Sequence, residues 1–267
     1  MTLEAPRPDA QAEEIAAAYG NLPEVTAVAI AGSRVGGSAD PDADIDLYVY
    51  AAVPISMADR RAIAASFARR YEVGNAFWEP GDEWIDARTG LHVDVMHRTP
   101  AWIEEQLRRV LVRHEASVGY STCFWHNVLH SRPLVDRHGW YGDMQQAARQ
   151  PYPEPLRAAI IAKNHPLLRQ SLSSYRSQIE RAAERGDRVS VQHRITALLA
   201  SYFDVLFAVN RLPHPGEKLM LEAAARCAKV PQDMERRVNA LLIVAAHPAS
   251  CADRGHALHP FGDIRYT

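Results

Sequence analysis

The sequence predicts an α+β protein in two parts, a mixed α/β domain over residues 1–150 followed by an all-α helical bundle over residues 151–267. Three observations predict it. Short β-patterned runs alternate with helical ones through the first half. A stiff, helix-breaking segment, Gln150-Pro151-Tyr152-Pro153-Glu154-Pro155, then interrupts the chain. Beyond it the alternating pattern gives way to helical periodicity. At 267 residues the chain is long enough for two modest cores.

The elements follow in order. Pro8 to Tyr19 reads as a helix stopped by Gly20. Val25 to Ala31 is a compact apolar run between Pro23 and Gly32-Ser33, the pattern of a buried strand ending in a loop. Asp44 to Tyr50 alternates acidic or aromatic residues with Ile45, Leu47 and Val49, which is strand periodicity. Ser56 caps a helix reaching about Arg70, and Tyr71 to Trp78, Trp84 to Ala87 and Leu91 to Met96 read as further strands. Thr99 and Pro100 open a helix whose apolar stripe is Ile103, Leu107, Val110 and Leu111. In the second half, helices are expected over Leu156–Arg169, Ser171–Arg185, Val189–Arg211, Lys218–Lys229 and Gln232–Ala246, with an irregular stretch from Ala249.

Composition narrows the setting. Hydrophobic content of 47% with 23% charged residues leaves no case for disorder. Lys and Arg total 30 against 32 Asp and Glu, a net charge of -2, so the whole chain lacks the positive field that gathers nucleic acid or an anionic membrane. This balance argues against a nucleic-acid partner and for a small molecule. Three scattered cysteines, Cys123, Cys227 and Cys251, fit neither a disulfide framework nor a Cys-rich zinc site and suit a reducing compartment. Met1 to Ala10 carries acids and prolines where a signal peptide needs a basic start and an apolar core. The apolar run Ala240 to Ala246 is far shorter than the roughly 20 residues of a membrane span. A cytoplasmic location without membrane attachment is expected.

The chemistry-bearing region is Gly32-Ser33-Arg34-Val35-Gly36-Gly37, followed after a polar turn by Asp44-Ile45-Asp46. Two aspartates two apart on a strand emerge on the same face. The same alternation puts His92, Asp94 and Met96 on one face of a later strand, so Asp94 joins the pair if the strands are neighbours. Three crowded carboxylates repel one another unless a cation sits between them. Hard oxygen ligands suit Mg²⁺ or Mn²⁺ better than zinc. Upstream, glycines let backbone amides approach an anion and Ser33 adds a hydroxyl donor, the parts of a phosphate cradle.

Gly-Ser, a glycine five positions after the first, then Asp-Ile-Asp resembles the nucleotidyltransferase superfamily typified by polymerase beta. Gly32, Ser33, Gly37, Asp44 and Asp46 fall in register with that pattern, and Asp94 stands where a third carboxylate is expected. Within the superfamily the chain is similar to small bacterial enzymes, such as those that nucleotidylate kanamycin, streptomycin and lincosamides, which place a helical domain behind the catalytic one. The resemblance spans about Val25 to Arg98. It implies that Gly32 and Ser33 hold the triphosphate of an NTP, ATP being expected, with Arg34 and Gly37 as further nucleotide-binding residues of the same loop. It further implies that Asp44 and Asp46 bind the metal and that Asp94 ligates metal or deprotonates the acceptor hydroxyl. Two positions depart from the pattern: Gly36 replaces a basic residue often found before the second glycine, and Ala43 replaces the usual Ser before the first aspartate. Arg34 is the nearby residue able to compensate for the former. The helical half carries no motif that names an acceptor.

Other features have plainer readings. His126 and His130 have zinc-like spacing without a third ligand. Asp204 interrupts the apolar run Tyr202 to Val209, where it is either paired or turned to a cleft. Asn210, Arg211, Glu217 and Lys218 bracket a Pro-rich turn, where they cap helices or face the site. Trp78, Glu79 and Trp84 form a site wall or pack. The expected activity is Mg-dependent transfer of a nucleoside monophosphate to a hydroxyl of a small-molecule acceptor, aminoglycoside- or lincosamide-like by the resemblance. The rivals are an antitoxin-like enzyme that nucleotidylates a protein and a nucleotide-binding module without turnover.

Overall fold

The computed structural model describes residues 8–32, 43–77 and 79–246. By contact the chain divides into two compact units, Met1–Arg108 with Asn127–Gln150, and Arg109–His126 with Pro151–Thr267. Residues 109–126 therefore group with the helices after Pro151.

The first unit is a six-stranded mixed sheet. Its strands are β1 (Val25–Ala31), β2 (Ile45–Ala51), β3 (Ala68–Asn75), β4 (Gly81–Asp86), β5 (His92–Arg98) and β6 (Arg132–Asp136), in the order β3-β4-β5-β2-β1-β6. Every neighbouring pair is antiparallel except β2 and β5, which run parallel. Helices α1 (Pro8–Gly20) and α2 (Met57–Phe67) cover one face. Their Ala12, Ile15, Ala16, Tyr19, Ile63 and Ala64 pack on Val28, Ile30, Ile45, Leu47, Val49, Val93 and Val95. Alternation thus sends one set of each strand into this core and frees the other set for the opposite face.

Local signals fix several ends. Ser56 caps α2 by accepting a bond from the Asp59 N–H at 3.1 Å and donating its hydroxyl to the Asp59 carboxylate at 2.6 Å. The Thr99 hydroxyl accepts from the Trp102 N–H at 3.2 Å where α3 (Pro100–Leu111) begins. α2 is shorter than its pattern suggests, because β3 begins at Ala68 with no linker. After α4 (Cys123–His130), the sequence pattern does not show β6, whose Pro133 sits on the edge strand where a missing N–H is tolerated, or α5 (Trp140–Ala148) after it.

The second unit is built around α8 (Arg188–Val209), with α6 (Glu154–Arg169), α7 (Tyr175–Glu184), α9 (Met220–Ala225) and α10 (Met234–Ala246). Every residue of α8 from Ser201 to Val209 is buried, as befits a helix surrounded by others. Phe203, Leu206 and Phe207 meet Ile179, Ala224, Val238 and Leu241 there. Asp204, inside that run, is paired. It accepts from the Ser121 N–H at 3.0 Å, the Ser121 hydroxyl at 2.6 Å and the Asn164 amide at 3.2 Å. Asn164 also accepts from the Gly119 N–H at 2.9 Å and donates to the Ser117 carbonyl at 2.9 Å. Two polar side chains thus satisfy the backbone of an otherwise irregular segment. Asn210 likewise ties the end of α8 to both the carbonyl and the N–H of Lys229, and Arg211 pairs with Glu154.

Charge is divided unevenly. The sheet unit holds 12 Lys and Arg against 20 Asp and Glu, a net of -8, while the helical unit holds 18 against 12, a net of +6. The near-neutral whole-chain value averages these, so it does not support the expectation that nucleic acid is excluded as a partner; field is a local quantity. No helix among the described residues is long and apolar enough to cross a membrane.

Candidate active site

The face of the sheet opposite α1 and α2 carries the residues of interest. Asp46 and Asp94 are direct cross-strand partners on the parallel pair β2 and β5. The row continues, since Asp94 pairs with Glu83 on β4 and Glu83 with Glu72 on β3. Four carboxylates therefore stand in register across four adjacent strands, the first three partly buried and Glu72 exposed. Like charges in such an array destabilise one another. Burial, then Asp46 and Glu83, pushes the Asp94 carboxyl up to about 6. Glu83 is itself held by the Asn75 amide at 3.1 Å, with His92 Nε2 at 3.6 Å.

Gly32 closes the end of β1 against this pair. Its φ is +74°, and a Cβ there would lie 2.1 Å from Asp46 Oδ2. Only glycine permits both the left-handed backbone and the approach. Gly32 and Asp46 are thus brought together as the motif order implies. Ser33, Arg34, Gly36 and Gly37 lie outside the described residues.

Asp44 immediately precedes β2 and is exposed. Among the described residues no group of three or more His, Cys, Asp or Glu side chains is arranged to hold a metal ion. Asp44, Asp46 and Asp94 are not gathered into such a group, and neither are His126 and His130. The donor chemistry of the Asp46–Asp94 pair nonetheless fits a hard divalent cation: two carboxylates side by side, one of them raised by burial and then by its neighbour's charge, a crowding that a cation would relieve.

Next to the pair, Tyr48 and Arg98 continue the same face. The Arg98 guanidinium lies 4.0 Å from the Tyr48 ring centroid and binds Glu79 through two bonds of 2.8 and 2.9 Å. Asn127 donates to the Tyr48 hydroxyl at 3.3 Å. Glu79 is therefore committed to Arg98, and Trp84 is 2% exposed and packs in the core on the other face. Trp78 lies outside the described residues.

Glu83 is the acidic neighbour that sequence reasoning missed. Its own strand, Gly81–Asp86, is short and irregular in hydropathy, and its place beside Asp94 depends on strand pairing. In the helical unit, Cys123 Sγ lies 3.5 Å from His214 Nδ1, which also accepts from the Gly216 N–H at 3.1 Å. Burial, then Asp204, drives the Cys123 thiol up to about 12, and burial drives His214 down to about 4. Both stay neutral, so this contact is not a thiolate–imidazolium pair.

Neither a scan against family models nor a search of curated proteins finds a match. A search of solved structures finds distant similarities. One is a nucleotidyltransferase-like protein from Exiguobacterium sibiricum, with a TM-score of 0.40 and 14% identity over 90% of this chain and 74% of that one. Another is a CCA-adding enzyme from Thermotoga maritima in complex with tRNA, with a TM-score of 0.35 and 13% identity over 98% of this chain. This chain covers 65% of that enzyme's length. Likeness at this level carries no argument about activity, which rests on the residues.

Proposed function

We propose that the sheet unit is a nucleotidyltransferase that moves a nucleoside monophosphate, AMP from ATP in the simplest case, to a hydroxyl of an acceptor. The observation that carries this reading is the register of Asp46 with Asp94 beside Gly32. It supports the order of parts that the motif implies, a glycine turn at the end of one strand against carboxylates on the next two.

In this reading Gly32, Ser33, Arg34 and Gly37 hold the triphosphate, and Asp44, Asp46 and Asp94 are the acidic residues of the reaction. Asp46 and Asp94 would hold Mg²⁺ or Mn²⁺, with Asp44 at the mouth of β2. When bound, the cation supplies neutralisation of the carboxylates and of charge developing on phosphate oxygens. The acceptor oxygen attacks the α-phosphorus, the bond to the bridging oxygen breaks, and pyrophosphate leaves. Where Asp94 is not itself a ligand, it is the residue that would accept the hydroxyl proton, since burial and then Asp46 raise its carboxyl to about 6 and so make the carboxylate a stronger base. Positioning of the acceptor oxygen and the α-phosphorus beside the Asp46–Asp94 pair would supply a large share of the rate gain.

A small-molecule hydroxyl compound is the proposed acceptor. The test is pyrophosphate release from the four NTPs with Mg²⁺, screened against pooled aminoglycosides, lincosamides and cell metabolites. Asp46→Asn and Asp94→Asn should each abolish it, and undiminished release in either variant would remove the proposal. A second reading, nucleotide binding without turnover, is favoured by the position of Asp44 outside any three-ligand group among the described residues. It would show as NTP binding by calorimetry with no pyrophosphate under any acceptor.

A further inference from the structure

We infer that the hairpin of α7 and α8 in the helical unit is a docking surface for the phosphate backbone of a nucleic acid strand. This inference does not depend on the nucleotidyl-transfer reading. It starts from charge segregation, the net of +6 on the helical unit. Between Arg181 and Arg194 stand four arginines, Arg181, Arg185, Arg188 and Arg194, with His193, against two acids, Glu184 and Asp187. The turn at Gly186, with φ +68°, folds α7 back into α8 and brings the end of one helix and the start of the other together.

These cations are available. Arg181, Arg188 and His193 are exposed, and Arg181, Arg188 and Arg194 have no carboxylate in ion-pair range among the described residues. Asp187 is occupied in capping α8, accepting from the Ser190 N–H at 3.0 Å, and holds Arg185 only at 3.8 Å. Arg188 takes the first position of α8, where the helix dipole disfavours a cation, so helix stability does not account for it.

Several unpaired guanidinium groups, each a fork of donors, match the phosphate oxygens of a polynucleotide. An anionic membrane fits less well. The apolar residues of the hairpin, Ile179, Ala182, Val191 and Ile195, are buried in the unit's own core, and Val189, 81% exposed, stands alone, so there is no apolar face to insert.

The test is fluorescence anisotropy of the full chain with a labelled single-stranded RNA of about 20 nucleotides. With four phosphate contacts, affinity should fall about 50-fold between 50 and 200 mM salt. Arg181→Glu with Arg188→Glu should lower affinity by at least about tenfold and flatten the salt slope by about 1.4. The neutral pair Arg181→Gln and Arg188→Gln, less disturbing to the helices, should shift both in the same direction. Asp46→Asn should bind as the parent does, which keeps failure of this surface distinct from failure of the catalytic reading. Absence of binding at 50 mM salt, indifference to both double variants, or stronger binding to phosphatidylserine vesicles or polyglutamate than to RNA would each overturn the inference.

Discussion

Gly32 and Asp46 meet so closely that the glycine's missing side chain is part of the site: a Cβ would fall 2.1 Å from the Asp46 carboxylate. The left-handed φ of +74° adds a second reason for glycine. Gly32→Ala should therefore displace Asp46 while leaving the core of the sheet intact. Transfer is expected to fall by roughly 100-fold, as a misplacement of about 1 Å costs. Pyrophosphate release checks the activity and thermal unfolding checks the fold.

On the opposite face of the sheet, Asp82 is fully buried and joins four elements to β4, with the Tyr19 hydroxyl of α1 donating to it at 3.3 Å. Arg60 of α2 donates at 2.9 and 2.5 Å, His97 Nε2 lies at 2.7 Å, and the Gly74 N–H donates at 2.9 Å. Burial alone would raise the Asp82 carboxyl, but the bonds from His97, Arg60 and Gly74 outweigh it and bring it down to about 2. A depressed carboxyl contributes stability above its unfolded pKa of about 4 and loses it as pH falls toward 2. Denaturation followed over pH 5 to 2 should show a loss on the order of 2 kcal/mol from this group, absent in Asp82→Asn, which should itself be less stable at neutral pH.

Asp204 has the opposite sign. Burial pushes its carboxyl up to about 6 despite the two bonds from Ser121. A raised carboxyl favours the fold below its unfolded pKa of about 4, and that contribution is lost as pH rises through 6. The helical unit should thus weaken between pH 4 and 6 while Asp82 has already reached its full contribution. Asp204→Asn should flatten that slope, as read by unfolding with a probe in the second unit.

Cys123 should behave as an inert thiol. With its pKa pushed up to about 12 by burial and Asp204, the thiolate fraction at pH 8 is about one in ten thousand. Alkylation by iodoacetamide at pH 8 should be far slower than that of a small thiol, and rapid labelling at this position would contradict the assignment of a neutral pair with His214.

For Arg98, removal of the guanidinium would leave Glu79 without its bidentate partner and empty the space beneath Tyr48. Glu79 is partly exposed, which lowers the cost, so Arg98→Met should destabilise by about 2 kcal/mol. A double variant with Glu79→Gln should recover part of that loss, measurable as a coupling in denaturant unfolding.

Much of the sheet unit was legible in the chain. Val25–Ala31 and the alternation after Asp44 declare themselves because burial of one face leaves a period of two. Ser56 and Thr99 mark helix starts because the first N–H groups need a local acceptor. The motif likewise singled out Gly32, Ser33, Gly37, Asp44 and Asp46 by spacing, and strand alternation together with the resemblance added Asp94. β6 escaped notice because five residues containing Pro133 satisfy no local pattern; pairing with β1 makes them a strand.

The sequence by itself determined which residues carry charge, where the chain turns and which faces of each element are apolar, since these follow from local sterics and side-chain chemistry. Only the tertiary structure decided that Asp94 stands beside Asp46 with Glu83 beyond it, because strand order and register are set by packing between distant segments. It also decided that, among the described residues, Asp44 is not gathered into a three-ligand group and that positive charge collects on the helical unit, since both depend on where separate segments come together in space.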